Sequence, residues 1–464
     1  MTTAANAIPT TAAPAATPAK IRPRERDALL QSLRAGVVPR SGQQHIQVGR
    51  RREIEALVQD VDRIGDGGSA VRFVIGEYGS GKTFFLHLVR SVALEKKLVT
   101  VHADLTPDRR LHASGGQARS LYAELMRSLA TRSAPEGGAL PAVVERFVAT
   151  ALEDARARNM SPDAAIRERL ASLSEMVGGY DFAQVIAAYW QGHEEHNETL
   201  QQNAVRWLRG EFTTKTDARN ALGVRTIVDD ANVYDHLKLM ARFVRLAGYT
   251  GLLVCLDELV NLYKLPHAQA RNSNYEQILR ILNDCLQGTA VGCGFVFGGT
   301  PEFLLDPRRG LFSYPALASR LEENRFAQNG LVDYSGPVIR LASLTPEDLY
   351  VLLTKLRHVF AAGETARHLL PDDALAAFLT HAARRVGDSY FRTPRTTIRA
   401  FVDLLAILEQ NPEVEWTDLI ERTEIAPDIS PDPLSPSDKS ASNDGAPPPA
   451  DEDDDDELAS LRLG

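Results

Sequence analysis

The stretch RFVIGEYGSGKTFFLHLVR, residues 72–90, constrains the fold more than any other part of the chain. It opens as a β-branched and aromatic run, breaks at Gly76, Gly79 and Gly81, and resumes with helical spacing at Lys82 and Thr83. Gly76, Gly81, Lys82 and Thr83 fit G-x-x-x-x-G-K-[ST], with a strand before and a helix after. The residue types answer a chemical need. A triphosphate has to be wrapped by backbone N–H groups, and a loop of Gly76, Gly79, Ser80 and Gly81 allows the close approach and the unusual φ/ψ values. The helix that follows offers its N-terminus to anions. Lys82 adds a point charge at the β/γ-phosphates, and the Thr83 hydroxyl suits Mg²⁺. The plainer reading, a glycine-rich turn, leaves the Lys-Thr pair unexplained.

A second signal lies 175 residues beyond Lys82. LLVCLDE is an apolar run ending in Asp257 and Glu258. A buried strand beside the phosphate-loop strand would deliver both carboxylates to one sheet edge. There Asp257 could hold Mg²⁺ and Glu258 could polarise the attacking water, which points to hydrolysis. Asp-Glu after a strand is also an ordinary helix N-terminus signal. GFVFGGTPEF ends a further strand at Thr300. Thr300 could sense the γ-phosphate, or cap a helix with Pro301 at its first position, and the two uses are compatible.

The pattern along the chain predicts an α/β fold. DALLQSLRAG from Asp27 has helical spacing. VGRRREIEALVQDVDRI starts another helix with Ile54, Leu57, Val58, Val61 and Ile64 on one face. A β–loop–α unit is expected at 71–95, and further strands at 98–105, 251–258, 292–300 and 336–344. Their alternation with helices indicates a mainly parallel sheet. Residues 114–248 read as a helical insertion, and 345–424 as a small helical domain. The expected organisation is a disordered tail at 1–26, a core at 27–344 carrying the insertion, the helical domain, and a disordered tail at 425–464.

Residues 426–464 hold 11 Asp and Glu against 2 Lys and Arg, so positions 1–425 carry 50 of each sign. The net charge of −9 is a property of the tail and neither supports nor excludes nucleic-acid binding. Three cysteines without a C-x-x-C pair suit a reducing, cytoplasmic setting. The Ala/Thr/Pro-rich start is a poor signal peptide, and no apolar run approaches the ~20 residues that span a bilayer. GHEEHNE places His193 and His196 three apart, but position 197 is Asn, so it is not H-E-x-x-H and no metal is expected there. The basic and aromatic mixture around Trp190, Arg206, Trp207 and Arg209 could stack on nucleic acid, yet Trp207 and Leu208 fit a helical core better.

The whole set resembles the AAA+ P-loop ATPases, near the origin-recognition and replication-initiator group. GEYGSGKT resembles their Walker A loop and LLVCLDE their Walker B strand. VGRRREIEAL is similar to the segment that leads into such domains, where Gly49 and Arg50 would approach adenine. The resemblance puts Thr300 at the first sensor position and Arg395, in FRTPRTTIRAF, at the second. It places an arginine finger in YPALASRLEENRF, with Arg320 the first choice and Arg325 and Arg309 behind it. Arg320 and Arg395 also read plainly as a surface arginine and a first-turn helical arginine.

Longer strings carry a closer resemblance over nearly all of 27–422. RWLRGEFTTKT, ALGVRTIVDD, LDELVNLYKL, NYEQILRILND, GGTPEFLLDPRRG and YFRTPRTTIRAFVDLL look like the ATP-binding proteins of bacterial BREX phage-exclusion systems, of the BrxC/BrxD type. What that resemblance implies is an ATPase using ATP and Mg²⁺, in a homo-oligomer or in a complex with defence proteins such as a helicase, with DNA a possible partner. Two functions follow. One is an ATP hydrolase that assembles on or remodels a complex on DNA. The other is a nucleotide-dependent switch or scaffold with little turnover.

Overall fold

Every residue of SAVRFVIG is buried, so β1 (Ser69–Gly76) must be covered on both faces. The computed structural model describes residues 21–327, 331–386 and 394–422, all within one compact unit, Met1–Asp428. The other strands are β2 (Val99–Asp104), β3 (Leu252–Asp257), β4 (Cys293–Gly299) and β5 (Val338–Leu341). All pair in parallel, in the order β2-β3-β4-β1-β5. Each of the five expected strands is present. The AAA+ core is thus an all-parallel sheet, with β4 set between β1 and β3.

Alternation along β1 feeds two cores. Val71, Phe73 and Ile75 pack on one face with Val101, Val254, Leu256 and Phe297. Ala70 and Val74 pack on the other with Leu253, Cys255 and Val296. That second face is covered by α2 (Arg51–Gly65), through Leu57, Val61 and Ile64, and by α3 (Lys82–Glu95), through Phe85, Leu86 and Val89. Arg72 also falls on this buried face, 6% exposed. It is matched by Asp60 of α2, 3% exposed, through bonds of 2.5 and 3.1 Å.

The helical insertion separates β2 from β3. It comprises α4 (Gln117–Arg127), α5 (Leu140–Arg158), α6 (Pro162–Ser174), α7 (Gly179–Glu194), α8 (Glu198–Leu208), α9 (Lys215–Leu222) and α10 (Val233–Leu246). Its apolar residues continue the first core. Trp207 and Leu208 are buried there, and Trp207 Nε1 donates to the Thr226 carbonyl at 2.8 Å. Between β3 and β4 lie α11 (Val260–Tyr263) and α12 (Ala268–Leu286). Between β4 and β5 lie α13 (Pro301–Leu305) and α14 (Pro315–Leu321). All three cysteines are buried and free.

A third core joins α15 (Pro346–Phe360), α16 (Asp372–Val386), α17 (Pro394–Gln410) and α18 (Trp416–Arg422). The first helix, α1 (Pro23–Arg34), belongs to it, through Leu29, Leu30 and Leu33. Arg26 Nε donates to the Phe360 carbonyl at 2.8 Å, and Arg34 Nε to Asp403 at 2.9 Å. This helix starts four residues before the expected Asp27, because Pro23 is preset for a first helical turn and Ile21 is buried in the same core. The rest of the expected tail at 1–26, and the one at 425–464, lie outside the described residues. Among the described residues no helix is long and apolar enough to cross a membrane.

Candidate functional site

The parallel register brings the strand ends to one edge. Gly76 pairs with Leu341, Ile75 with Gly299, and Asp104 with Asp257. The chain leaves β1 through a loop in which Gly79 and Gly81 are left-handed, at φ 78° and 83°. Gly76 has no room for a side chain, since a Cβ would collide with Ser80 Oγ. That hydroxyl is buried and has no partner among the described residues. Gly81 then caps α3, whose first two residues are Lys82 and Thr83.

Lys82 Nζ folds back over the loop and donates to the carbonyls of Gly76 and Glu77, at 2.8 and 2.9 Å. Burial lowers its pKa, against the opposing pull of Asp257, Glu258, Glu77 and Glu302. Thr83 Oγ1 donates to Asp257 Oδ2 at 2.7 Å. Asp257 is buried at the end of β3, and its other oxygen accepts the Glu258 N–H at 2.8 Å. The carboxylate lies against Gly298 of β4, where a Cβ would strike Asp257 Oδ1. Glu258 has φ 57°, a strained conformation for a side chain of its length. Desolvation, then the Asp257 charge, raises its pKa, with Asp104 adding to the shift. Asp104 is itself raised by desolvation and by Asp257.

A cleft of about 190 Å³ opens beside this edge. One wall is the loop and α3, with Tyr78, Gly79, Ser80, Gly81, Lys82, Thr83 and Phe84, and Glu258 at its rim. The opposite wall is apolar: Val38, Pro39, Ile46 and Val48 from the segment between α1 and α2, with Leu352 of α15 and Ile398 of α17. Arg50, at φ 57°, also lines it and donates to the carbonyls of Ser80 and Ala342. Gly49 is left-handed at φ 61° and packs against Asp348, part of the capping box that starts α15. Gly49 and Arg50 therefore strap the loop to the C-terminal helices.

Arg395 stands in the first turn of α17, lines the cleft, and lies 5.9 Å from the centre of the Tyr78 ring. Thr300 follows the end of β4 at the same sheet edge. Its side chain accepts the Phe303 N–H at 3.4 Å and caps α13. Arg320 does not line the cleft. It is on α14, where it donates to Asn283 Oδ1 and the Ala316 carbonyl, each at 2.7 Å. Arg309 is tied to the carbonyls of Tyr263 and Leu265 and stacks over Tyr263. Arg325 projects to solvent, pairing with Glu322 at 3.3 Å.

The fit to a nucleotide can be read from the donor set. A positive-φ glycine loop, an unpartnered buried hydroxyl, a lysine and a helix N-terminus form an anion cradle. An apolar slot beside it suits a flat ring. Thr83 and Asp257 offer adjacent hard oxygen ligands of the kind Mg²⁺ takes. The sequence reading missed Asp104 and the 36–48 wall. The only signal for Asp104 was its place at the end of a strand, and the wall has no periodicity at all.

A family model described as "BREX system ATP-binding protein BrxC/D" matches residues 21–424. No curated protein matches the chain.

Proposed function

Because the chain belongs to the BREX system ATP-binding proteins BrxC/D, a phage-defence family, we propose that it is an ATP hydrolase whose turnover drives assembly or remodelling on DNA with partner proteins. The observation that carries this reading is the Thr83–Asp257 hydrogen bond, with Lys82 on one side and Glu258 on the other. Mg²⁺, when bound, would supply positive charge against the phosphates. Thr83 and Asp257 are the residues to hold it. Lys82 gives up its two loop carbonyls for the β/γ-phosphates, and the N–H groups of Gly79, Ser80 and Gly81 wrap the chain of phosphates. Glu258 takes a proton from the attacking water, helped by a pKa already above the usual carboxylate range.

In this reading residues 345–424 act as a lid on a core at 27–344, with the insertion at about 114–248. Arg395 reports on the γ-phosphate from the lid, and Thr300 does so from β4 while capping α13. Arg50 and Gly49 pass the state of the loop to α15. Arg320 serves a neighbouring subunit, because it does not line its own cleft.

That last point also favours a second reading. A chain whose finger comes from elsewhere would bind ATP and turn it over slowly until a partner docks, which is the behaviour of a switch or scaffold. Turnover measured against protein concentration, with and without DNA, separates the two. An ATPase that assembles gives specific activity that rises with concentration or DNA. Mixing Arg320→Ala with Glu258→Gln then restores turnover if the finger acts in trans. Tight ATP binding with no turnover under any of these conditions supports the switch.

A further inference from the structure

A small polar cavity of about 40 Å³ lies beside α3, lined by Arg40, His87, Arg90, Ser91, His102 and Glu136, and it shares no lining residue with the nucleotide cleft. Arg90 is its anomaly. The residue is 7% exposed, yet among the described residues it makes no ion pair. Its one side-chain hydrogen bond joins its terminal nitrogen to His87 Nδ1 at 3.1 Å, and its Nε has no partner. Arginine only donates, so His87 Nδ1 accepts, and the His87 ring is neutral with its proton on Nε2. His102 stands edge-on to His87 at 5.9 Å between ring centres, and its Nδ1 is buried and unpartnered. Burial, and then Arg90, hold His87 down at about 4 and His102 at about 3. Arg40 completes the ring of groups. It pairs with Glu136 at 3.8 Å, and both side chains are about two-thirds exposed.

The cavity thus holds two permanent cations, two neutral imidazoles and one solvent-facing carboxylate. Glu136 acts on Arg90 but is paired with Arg40 and faces solvent, and a buried guanidinium so weakly compensated is unfavourable, since buried charges in folded proteins are paired. We propose that this cavity binds a phosphate-like oxyanion, with Arg90 as its buried anchor and Arg40 closing over it. The planar guanidinium presents two parallel N–H groups to two oxygens of such a group. The His87 Nε2–H is a further donor from the lining. The volume corresponds to about three waters, which suits one phosphoryl group and excludes a base or sugar. Arg40 follows directly on Pro39, which walls the nucleotide cleft, and Glu136 precedes α5 of the insertion. Occupation therefore touches both regions. The anion is either free phosphate or the terminal phosphate of a DNA strand.

The test uses the full chain with its phosphate loop filled by a saturating Mg²⁺ complex of a non-hydrolysable ATP analogue. Inorganic phosphate is titrated against chloride at equal ionic strength, by calorimetry and thermal unfolding. Phosphate should bind at one site and raise Tm. Arg90→Met should abolish both effects. Arg40→Ala, an exposed position that should not disturb folding, should weaken binding roughly tenfold. Glu136→Gln should tighten it, because the competing carboxylate is gone. A 5′-phosphorylated oligonucleotide that competes, where its unphosphorylated form does not, identifies DNA ends as the source. Absence of competition identifies free phosphate. No response beyond chloride overturns the site, as does an unchanged response in Arg40→Ala. Weaker binding in Glu136→Gln also overturns it, since Glu136 would then be supporting the pocket rather than competing for its cations.

Discussion

Thr83 Oγ1 donates a 2.7 Å hydrogen bond to Asp257 Oδ2, although 174 residues separate the two in sequence. The bond joins the first turn of α3, which follows β1, to the end of β3, and β1 and β3 do not touch, because β4 lies between them. It is possible only because the strand between has glycine where the carboxylate crosses.

That glycine is a sharp test. Gly298→Ala puts a methyl group where Asp257 Oδ1 sits. The carboxylate must move, and a displacement of this order at the group proposed to hold Mg²⁺ should cost about a hundredfold in rate. ATP turnover at saturating Mg²⁺ should fall by that factor while the far-ultraviolet circular dichroism stays unchanged.

Lys82→Ala removes the one ammonium in the loop. Loss of a charged hydrogen-bonding partner to phosphate should weaken ATP roughly tenfold to a hundredfold, measured by calorimetry. Equal affinity in parent and variant would mean that the phosphates lie elsewhere.

If Glu258 is the general base proposed above, the acid limb of the pH–rate profile should be its own. A carboxylate takes a proton only when ionised, and desolvation with Asp257 raises its pKa from the usual 4.5. Activity should therefore fall on acidification at a pH above that of an ordinary glutamate. Asp104 contributes to the rise, so Asp104→Asn should move the limb to lower pH. A limb that stays in place would take Asp104 out of the account.

Asp60 and Arg72 form a buried pair, and Arg72 also donates to the carbonyls of Tyr334 and Gly336 ahead of β5. Asp60→Ala leaves that guanidinium uncompensated and should cost about 3–5 kcal/mol in urea unfolding. Asp60→Leu with Arg72→Met should recover much of the loss, since an apolar pair of similar volume needs no counter-charge.

Much of this architecture could be read from residues alone, for a physical reason. A strand buried on both faces is an uninterrupted apolar run, so LVTV, LLVCL and GFVF stand out without any partner in view. A phosphate loop is local, with all its groups within eight residues. What stayed hidden depends on contacts between distant segments. The helical spacing of DALLQSLRAG marked α1, but nothing in it said that its partner is α17, with Arg34 reaching Asp403. Asp104 looked like the last residue of a strand, and only its register opposite Asp257 places it among the carboxylates. The cleft wall at 36–48 is irregular chain held by its neighbours. The arginines were the hardest, because Arg320, bonded to Asn283 and the Ala316 carbonyl, has the contacts of any surface arginine.

The most direct measurement compares ATP binding with ATP turnover in the parent and in Glu258→Gln, under the same Mg²⁺ concentration. The account predicts affinity within a few-fold of the parent and turnover reduced by roughly a hundredfold or more. Turnover at the parent rate in Glu258→Gln would contradict it, and the carboxylate that activates water would have to be another.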